Sequence, residues 1–340
     1  MATSGWLARL QDDPTPWLLD AGDPAVRHAT LRRLEMRSAY DVDVIAAREA
    51  AMTADPIAAI LAAQHPDGHW EKPGAGYATK YRGTVWQVIF LDQLGADGSD
   101  ARIRRACAYV LEHSQTSIGA FGTSGRLAGA PPPSAAIHCL NGNLLRALIG
   151  LGWLDDERVT RSIDWQARTI TGEGVERWYA SGTSGPLFGC AANERLPCAW
   201  GAIKALLGLA RIPAERRTSL VVRAIDAGVG FLLGHDPAAA DYPAGWGNAR
   251  PSGSWFTLGF PSGYVADILQ NLEVLCELGH GADPRLAAAV EWLLSKQDAK
   301  GRWRNAYAYN GKTWVDIEQQ GRPSRWVTLR ACVVLRDALH

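Results

Sequence analysis

No apolar run in this 340-residue chain approaches the ~20 residues that a membrane span requires. Met1–Leu10 holds no long apolar stretch of the kind that forms a secretory leader. The expected compartment is therefore the cytoplasm, with no transmembrane segment. Net charge is missing too. The 35 basic and 35 acidic side chains balance and no basic run stands out, which argues against a nucleic-acid partner. Strand-like alternation of apolar and polar residues is absent over any useful length, which leaves helices. Cysteine is sparse, six in all, and its spacing matches no standard short zinc motif. In a reducing compartment these would be free thiols or metal ligands, not a disulfide framework.

What is present is apolar content, tryptophan and a repeat. Hydrophobic residues make up 47% of the chain, enough for a sizeable core in a single domain over 1–340. The 14 tryptophans suggest aromatic-rich packing or an aromatic-lined cavity. Residues 1–20 read as an irregular segment with Trp6 and Trp17 as docking anchors. Pro56–Gly95 reads as a helix (PIAAILAAQ), a tight turn (HPDGHW), a loop and a second helix (GTVWQVIFLDQLG). EWLLSKQDAKGRW repeats its spacing, with Gln297, Gly301 and Trp303 standing for Gln64, Gly68 and Trp70. YVLEHSQTSIGAF does so more loosely through Gln115, Gly119 and Phe121. Self-similarity at fixed spacing marks a repeat architecture.

Two kinds of helix alternate along the chain. Ser99–Ser114, Asp155–Ile170, Thr218–Leu233 and Asp283–Gln297 are mixed. Gly83–Gly95, Cys139–Gly152, Cys198–Ala210, Gly263–Gly279 and Ser324–Leu339 are apolar nearly all round, so they must be buried on every side. Ala25–Met36, opened by Asp23-Pro24, makes a sixth inner helix. Gly/Pro-rich loops at Gly122–Ser134, Gly182–Gly189 and Pro237–Ser254 join the units. The predicted fold is an all-α (α/α)6 toroid of inner and outer helices, with an open solenoid of helix pairs as the alternative. In the repeat turn, Gln is placed to bond carbonyls left open at the helix end. Gly takes the left-handed turn, and Trp stacks over the helix end.

These Gln-x3-Gly-x-Trp turns resemble the QW repeats of squalene–hopene cyclases and the related repeats of protein prenyltransferase β subunits. The resemblance covers roughly Pro56 to His340. With KYRGTVWQ and GRPSRWVTLRACVVL, the wider pattern is similar to uncharacterised bacterial and archaeal proteins of terpene-cyclase-like type. The resemblance implies an α/α toroid and a hydrophobic, isoprenoid-like substrate. The chemistry of the family transfers poorly. Its Asp-x-Asp-Asp acid is absent, since Asp41-Val-Asp43 lacks the final Asp and precedes the repeats. Asp155-Asp156-Glu157 opens an outer helix, where acids suit the N-terminal dipole. The prenyltransferase Asp-x-Cys zinc pattern is missing as such.

A different constellation emerges when the inner helices are aligned by their ends at Leu94, Leu151, Leu209 and Leu278. Cys139, Cys198 and Asp267 then fall at one level, at the N-terminal mouths of three inner helices, and Cys190 lies in the loop entering the Cys198 helix. Three thiols and a carboxylate there would suit a tetrahedral zinc ion, and positive helix ends would lower thiol pKa values. Asp267 is the alternative general acid or base, or a cap; His138 and His235 are alternative fourth ligands. Scattered core thiols need no function, and Cys107, Cys276 and Cys332 are read as packing. Lys80, Tyr81, Arg82 and Arg195 precede inner helices and would bind a diphosphate or carboxylate, or form a solvated rim. Asn141 and Asn143 would cap locally or line the cavity. Trp86, Trp200, Tyr264 and Trp326 would offer aromatic faces to an apolar substrate, or pack the core. The expected function is a terpene cyclase- or prenyltransferase-like enzyme, with zinc as the possible cofactor. A non-catalytic binding or scaffold toroid and a carbohydrate-active (α/α)6 enzyme are the alternatives. The last needs a pair of carboxylates.

Overall fold

The computed structural model describes residues 5–20, 22–124, 129–174 and 184–340. The start of Met1–Leu10 and parts of the Gly122–Ser134 and Gly182–Gly189 loops lie outside these residues. In chain order the helices are α1 (Thr15–Leu18), α2 (Pro24–Arg33), α3 (Val42–Thr53), α4 (Ile57–Ala62), α5 (Thr84–Gln93), α6 (Ala101–His113) and α7 (His138–Gly150). Then come α8 (Glu157–Thr171), α9 (Ala199–Ala210), α10 (Ser219–Leu233), α11 (Ile268–Glu277), α12 (Ala287–Leu294) and α13 (Arg325–Ala338). Among the described residues there are isolated β-bridges but no strands. No described helix is long and apolar enough to cross a membrane.

The inner set is α2, α5, α7, α9, α11 and α13. Neighbours pack in sequence from α5 to α13, and α13 packs back on α2. The Cys198–Ala210 stretch shows why the sequence separates the sets: α9 buries nearly every side chain, whereas α8 buries one face and exposes the other. The ring closes. The helix-capping residues of the inner set are Asp23, Gly83, Ile137, Cys198, Asp267 and Ser324. Six residues past each cap stand Ala29, Ile89, Asn143, Lys204, Glu273 and Arg330, and all of them line one central cavity. An open solenoid would not bring one level of its first and last inner helices to the same space. The fold is therefore an α/α toroid.

Three element boundaries differ from expectation. The expected helix Gly263–Gly279 starts only at Ile268, because the Asp267 carboxylate accepts from Gln270 N at 2.9 Å and fixes the first turn there. The Asp283–Gln297 stretch opens with a 3-10 turn, Pro284–Leu286, before α12. Residues 1–20 carry a 3-10 turn at Leu7–Arg9 and the single turn of α1. Trp6 is buried in the main core, and Trp17 lies beneath the guanidinium groups of Arg302 and Arg325 at 4.2 and 5.2 Å.

The repeat turns fasten neighbouring units together. Gln64 Nε2 donates to Gly68 O in its own turn and to Arg102 O of α6 at 2.9 Å. Gln115 Nε2 does the same with Gly119 O and Arg158 O of α8 at 2.7 Å. Thus the amide reaches forward to the next outer helix, where the sequence suggested only its own helix end. Trp70 and Trp303 each donate an indole N–H to a carbonyl ten residues back, Ile60 O and Leu293 O, at 2.7 and 2.8 Å. Their backbone amides bond the hydroxyls of Thr84 in α5 and Thr328 in α13. Each such bond satisfies a buried group that would otherwise cost about 1–3 kcal/mol. In the last turn, Gln297 takes the N-terminal segment in place of a following helix: it accepts from Gln11 N at 2.8 Å and donates to Arg9 O at 3.3 Å.

Candidate functional site

The inner-helix mouths carry a pocket of about 290 Å3. Its walls combine three aromatic side chains, Tyr77, Trp200 and Tyr264, with the thiols of Cys139, Cys190 and Cys198. No carboxylate lines it among the described residues. The helices deliver these groups in a simple way. Cys198 is the capping residue of α9, and Gly201 N donates to its sulfur at 3.5 Å. Cys139 is the second residue of α7, and Cys190 stands in the loop that turns back towards α9. The six cysteines are all free.

The thiols differ in character. The Cys198 thiol donates to the Cys190 sulfur, and with the backbone amides of Ala192 and Asn193 this brings Cys190 down to about 6, against the opposing effect of burial. Cys198, which gives up that hydrogen bond, is pushed far above the ordinary thiol range, with burial adding to the effect. Burial lifts Cys139 to about 12. Of the three sulfurs, Cys190 is thus the one whose surroundings favour the thiolate. As a set, the three sulfurs do not share the spacing of a preformed metal centre. Among the described residues, the group of His, Cys, Asp or Glu whose ligand atoms all lie within 4.8 Å of one another is His65, Asp67 and His69, on the first repeat turn.

The other expected ligands are elsewhere. Asp267 is buried at the cap of α11 and does not line the thiol pocket. Burial pushes its pKa up while Arg330 and, more weakly, Lys204 pull it down. His138 borders the pocket but both ring nitrogens are engaged, with Gln166 Nε2 at 2.8 Å and Gly185 O at 2.9 Å, and burial lowers its pKa to about 4. His235 sits beyond the end of α10 against Phe231 and Tyr242, away from the pocket.

The expected substrate-binding residues divide in the same manner. Lys80 is exposed at the pocket rim, its Nζ 4.5 Å over the Tyr264 ring. Tyr81 stacks on Tyr309 with ring centroids 3.9 Å apart, and Arg82 lies on Trp314. Trp86 is buried behind Tyr77 and donates to its carbonyl at 3.0 Å. Asn141 clamps both backbone groups of Phe121, and Asn143 faces the central cavity while donating to Gly263 O at 3.1 Å. Trp326 stacks on Phe260, and Arg195 is exposed in the loop before α9. Two polar groups at the thiol pocket, Trp200 Nε1 and Ser184 Oγ, are buried with no partner among the described residues.

The central cavity, about 360 Å3, opens at the opposite, C-terminal ends of the inner helices. Lys204, Arg330, Gln270 and Glu273 form its buried floor, and Arg32, Arg48 and Arg211 its outer rim. Arg33 and Arg146 stand between. Glu273 is gripped by Arg330 through two bonds, at 2.9 and 2.6 Å, which holds its carboxyl near 2 despite burial. Lys204 is 1% exposed, and its Nζ donates to Gln270 Oε1. Burial lowers its pKa to about 7. The sequence reading missed this cavity. The signal was available: Arg146, Lys204 and Glu273 each stand five residues before the aligned helix ends Leu151, Leu209 and Leu278.

No protein-family model matches the chain, and no characterised protein matches it by sequence. Among solved structures it is similar to the apo type II terpene cyclase MstE from Scytonema, at 18% identity and a TM-score of 0.47, over 94% of this chain and 88% of that one. It is also similar to a glycosyl hydrolase of family 88 from Bacteroides vulgatus, at 12% identity and a TM-score of 0.49, over 93% and 90% of the two chains. A third is a family 10 polysaccharide lyase from Cellvibrio cellulosa, at 16% identity and a TM-score of 0.33, over 68% and 82%.

Proposed function

We propose that this toroid is an enzyme that takes a small, largely apolar, isoprenoid-like molecule into the thiol-lined pocket and acts on it through Cys190. The observation that carries this reading is the meeting of three thiols and three aromatic faces in one cavity of about 290 Å3. That volume is near the low end of the ~300–1000 Å3 usual for ligand pockets. Trp200 Nε1 and Ser184 Oγ are left for a ligand to satisfy, and Lys80 stands at the entrance for an anionic head. A thiolate displaces a leaving group, such as the diphosphate of an isoprenoid diphosphate, from carbon: the C–S bond forms as the C–O bond breaks and its electrons leave with the diphosphate. No base is needed to take a proton, which suits a site where His138 is already committed on both nitrogens. Carboxylic-acid protonation of an alkene has no donor among the described residues of this pocket.

The same thiols are soft donors, but zinc drawing on Cys139, Cys190 and Cys198 is the less supported second form of the proposal, because their sulfurs lack the spacing of a preformed centre. A carbohydrate hydrolase is less well supported. The central cavity has Asp92 and Glu273, but the Arg330 grip occupies Glu273, which leaves no free carboxylate pair.

The test is alkylation of the native protein with iodoacetamide, mapped by mass spectrometry, alongside metal analysis. Cys190 should react first, and short isoprenoid alcohols or diphosphates should protect it. Stoichiometric zinc together with a protected, unreactive Cys190 selects the metal form. Metal-free protein in which Cys190 reacts no faster than Cys107, with no protection by any apolar compound, sinks both forms.

A further inference from the structure

The central cavity has more positive charge than its own carboxylates neutralise. Arg330 and Arg33 share Glu273, Arg146 lies 3.5 Å from Glu277, and Arg48 lies 3.9 Å from Asp97. Lys204, Arg32 and Arg211 have no ion-pair partner among the described residues. Asp92, the remaining carboxylate in the wall, makes no ion pair either, and burial raises its pKa towards the neutral acid. The helix dipole accounts for Arg32 and Arg33 in the last turn of α2 and for Arg211 at the end of α9, but not for the floor. Cations suit the last turn of a helix, but Lys204 lies mid-helix in α9 and Arg330 in the second turn of α13. Burying a lysine is costly, and the carboxyl that acts on Lys204, Asp267, is itself pushed towards its neutral form by burial. Two further polar atoms in the wall, Arg146 Nε and His28 Nδ1, are buried with no partner among the described residues. The charge is graded, from a buried floor at Lys204 to an exposed rim at Arg211, so an anion has a path from solvent to the floor.

We infer that the central cavity is a binding site for a compact polyanion, one that carries two or more phosphate or carboxylate groups, with Lys204 at its floor and Arg211 and Arg32 at its rim. It is separate from the thiol pocket and opens on the other end of the ring. Its occupant would supply the negative charge that the protein withholds, and would make the donor bonds that Lys204 and Arg146 lack.

The experiment is a thermal unfolding and calorimetric titration of the full chain with pyrophosphate, citrate and inorganic phosphate, against chloride at matched ionic strength. The expected result is a saturable rise in Tm of a few degrees with pyrophosphate or citrate, weaker with monophosphate. A response to pyrophosphate alone assigns a phosphate-bearing ligand, and a response to citrate alone a polycarboxylate. Arg211→Gln, at an exposed position, should weaken binding about tenfold, as loss of a charge-assisted contact does. Lys204→Met should lose the ligand response while raising the Tm of the ligand-free protein, since the cost of burying the ammonium outweighs its attraction to Asp267. The proposal fails if no anion shifts Tm beyond the chloride control, or if both variants bind as the parent does. It also fails if Lys204→Met lowers the ligand-free Tm, which would make Lys204 a satisfied structural lysine.

Discussion

Cys190 and Cys198 face one another with opposite tendencies, because one thiol proton serves both sulfurs. Replacing Cys198 by Ala removes that donor, and the Cys190 thiol should then titrate well above about 6, nearer an ordinary cysteine. The pH dependence of its alkylation rate, with ultraviolet thiolate absorbance as a second readout, checks this. An unmoved midpoint would mean that the Ala192 and Asn193 amides hold the thiolate alone. Counting along inner helices was enough to place Cys139 and Cys198 at one mouth, since rise per residue is fixed. Counting put Asp267 at the same helix mouth, inside an expected helix Gly263–Gly279, but gave neither the start of α11 at Ile268 nor the direction of the Asp267 side chain, which depends on rotation of α11 about its axis. Its carboxylate serves its own helix, and the thiol pocket receives none of it. Lys204 escaped attention because one charge in an apolar helix leaves the overall pattern buried. A buried charge needs explanation for that reason.

At the scale of elements, the repeat turn was legible as structure, and its Gln, Gly and Trp do hold a turn. Its reach was not legible, because Arg102 O and Arg158 O belong to helices that sequence spacing does not orient. Gln115 is the best test, bonding Gly119 O, Arg158 O and Ser162 Oγ from one amide. Gln115→Ala should cost on the order of 1–3 kcal/mol in a urea titration, with the m-value unchanged. Gly301 combines φ of +64° with a backbone so close that a Cβ would overlap the Asp12 carbonyl oxygen. Gly301→Ala should cost a similar amount, on the order of 1–3 kcal/mol, and also expose residues 9–12 to limited proteolysis. Equal protease resistance in the variant and the parent would show that the last turn does not hold that segment.

For the whole molecule, Lys204 and His138 are two of the buried groups that contribute to the pH response; His28, also lowered to about 4, adds to the lower window, and Glu318, raised to about 7 by burial, opposes it. Lys204 has its folded pKa lowered to about 7 from 10.5. Between those values the unfolded chain holds a proton that the folded chain has lost, so stability rises with pH across that window. His138 is lowered to about 4 from 6.5, so the unfolded chain takes a proton first as pH falls, and stability is lost from 6.5 downward. Denaturant midpoints of Lys204→Met against the parent should show a shallower rise with pH in the variant between about 7 and 10.5 and no difference in slope below 6.5. An unchanged upper slope would place that response elsewhere, for example at Cys190. The ring itself has one more consequence. The last repeat turn fastens onto residues 9–12, and a Cβ at Gly5 would come within 4.0 Å of Leu339 O. Chain order is thus secondary to the architecture: a permuted chain in which Leu339 runs through a short linker into Gly5, with its break moved between two units, should fold into the same ring.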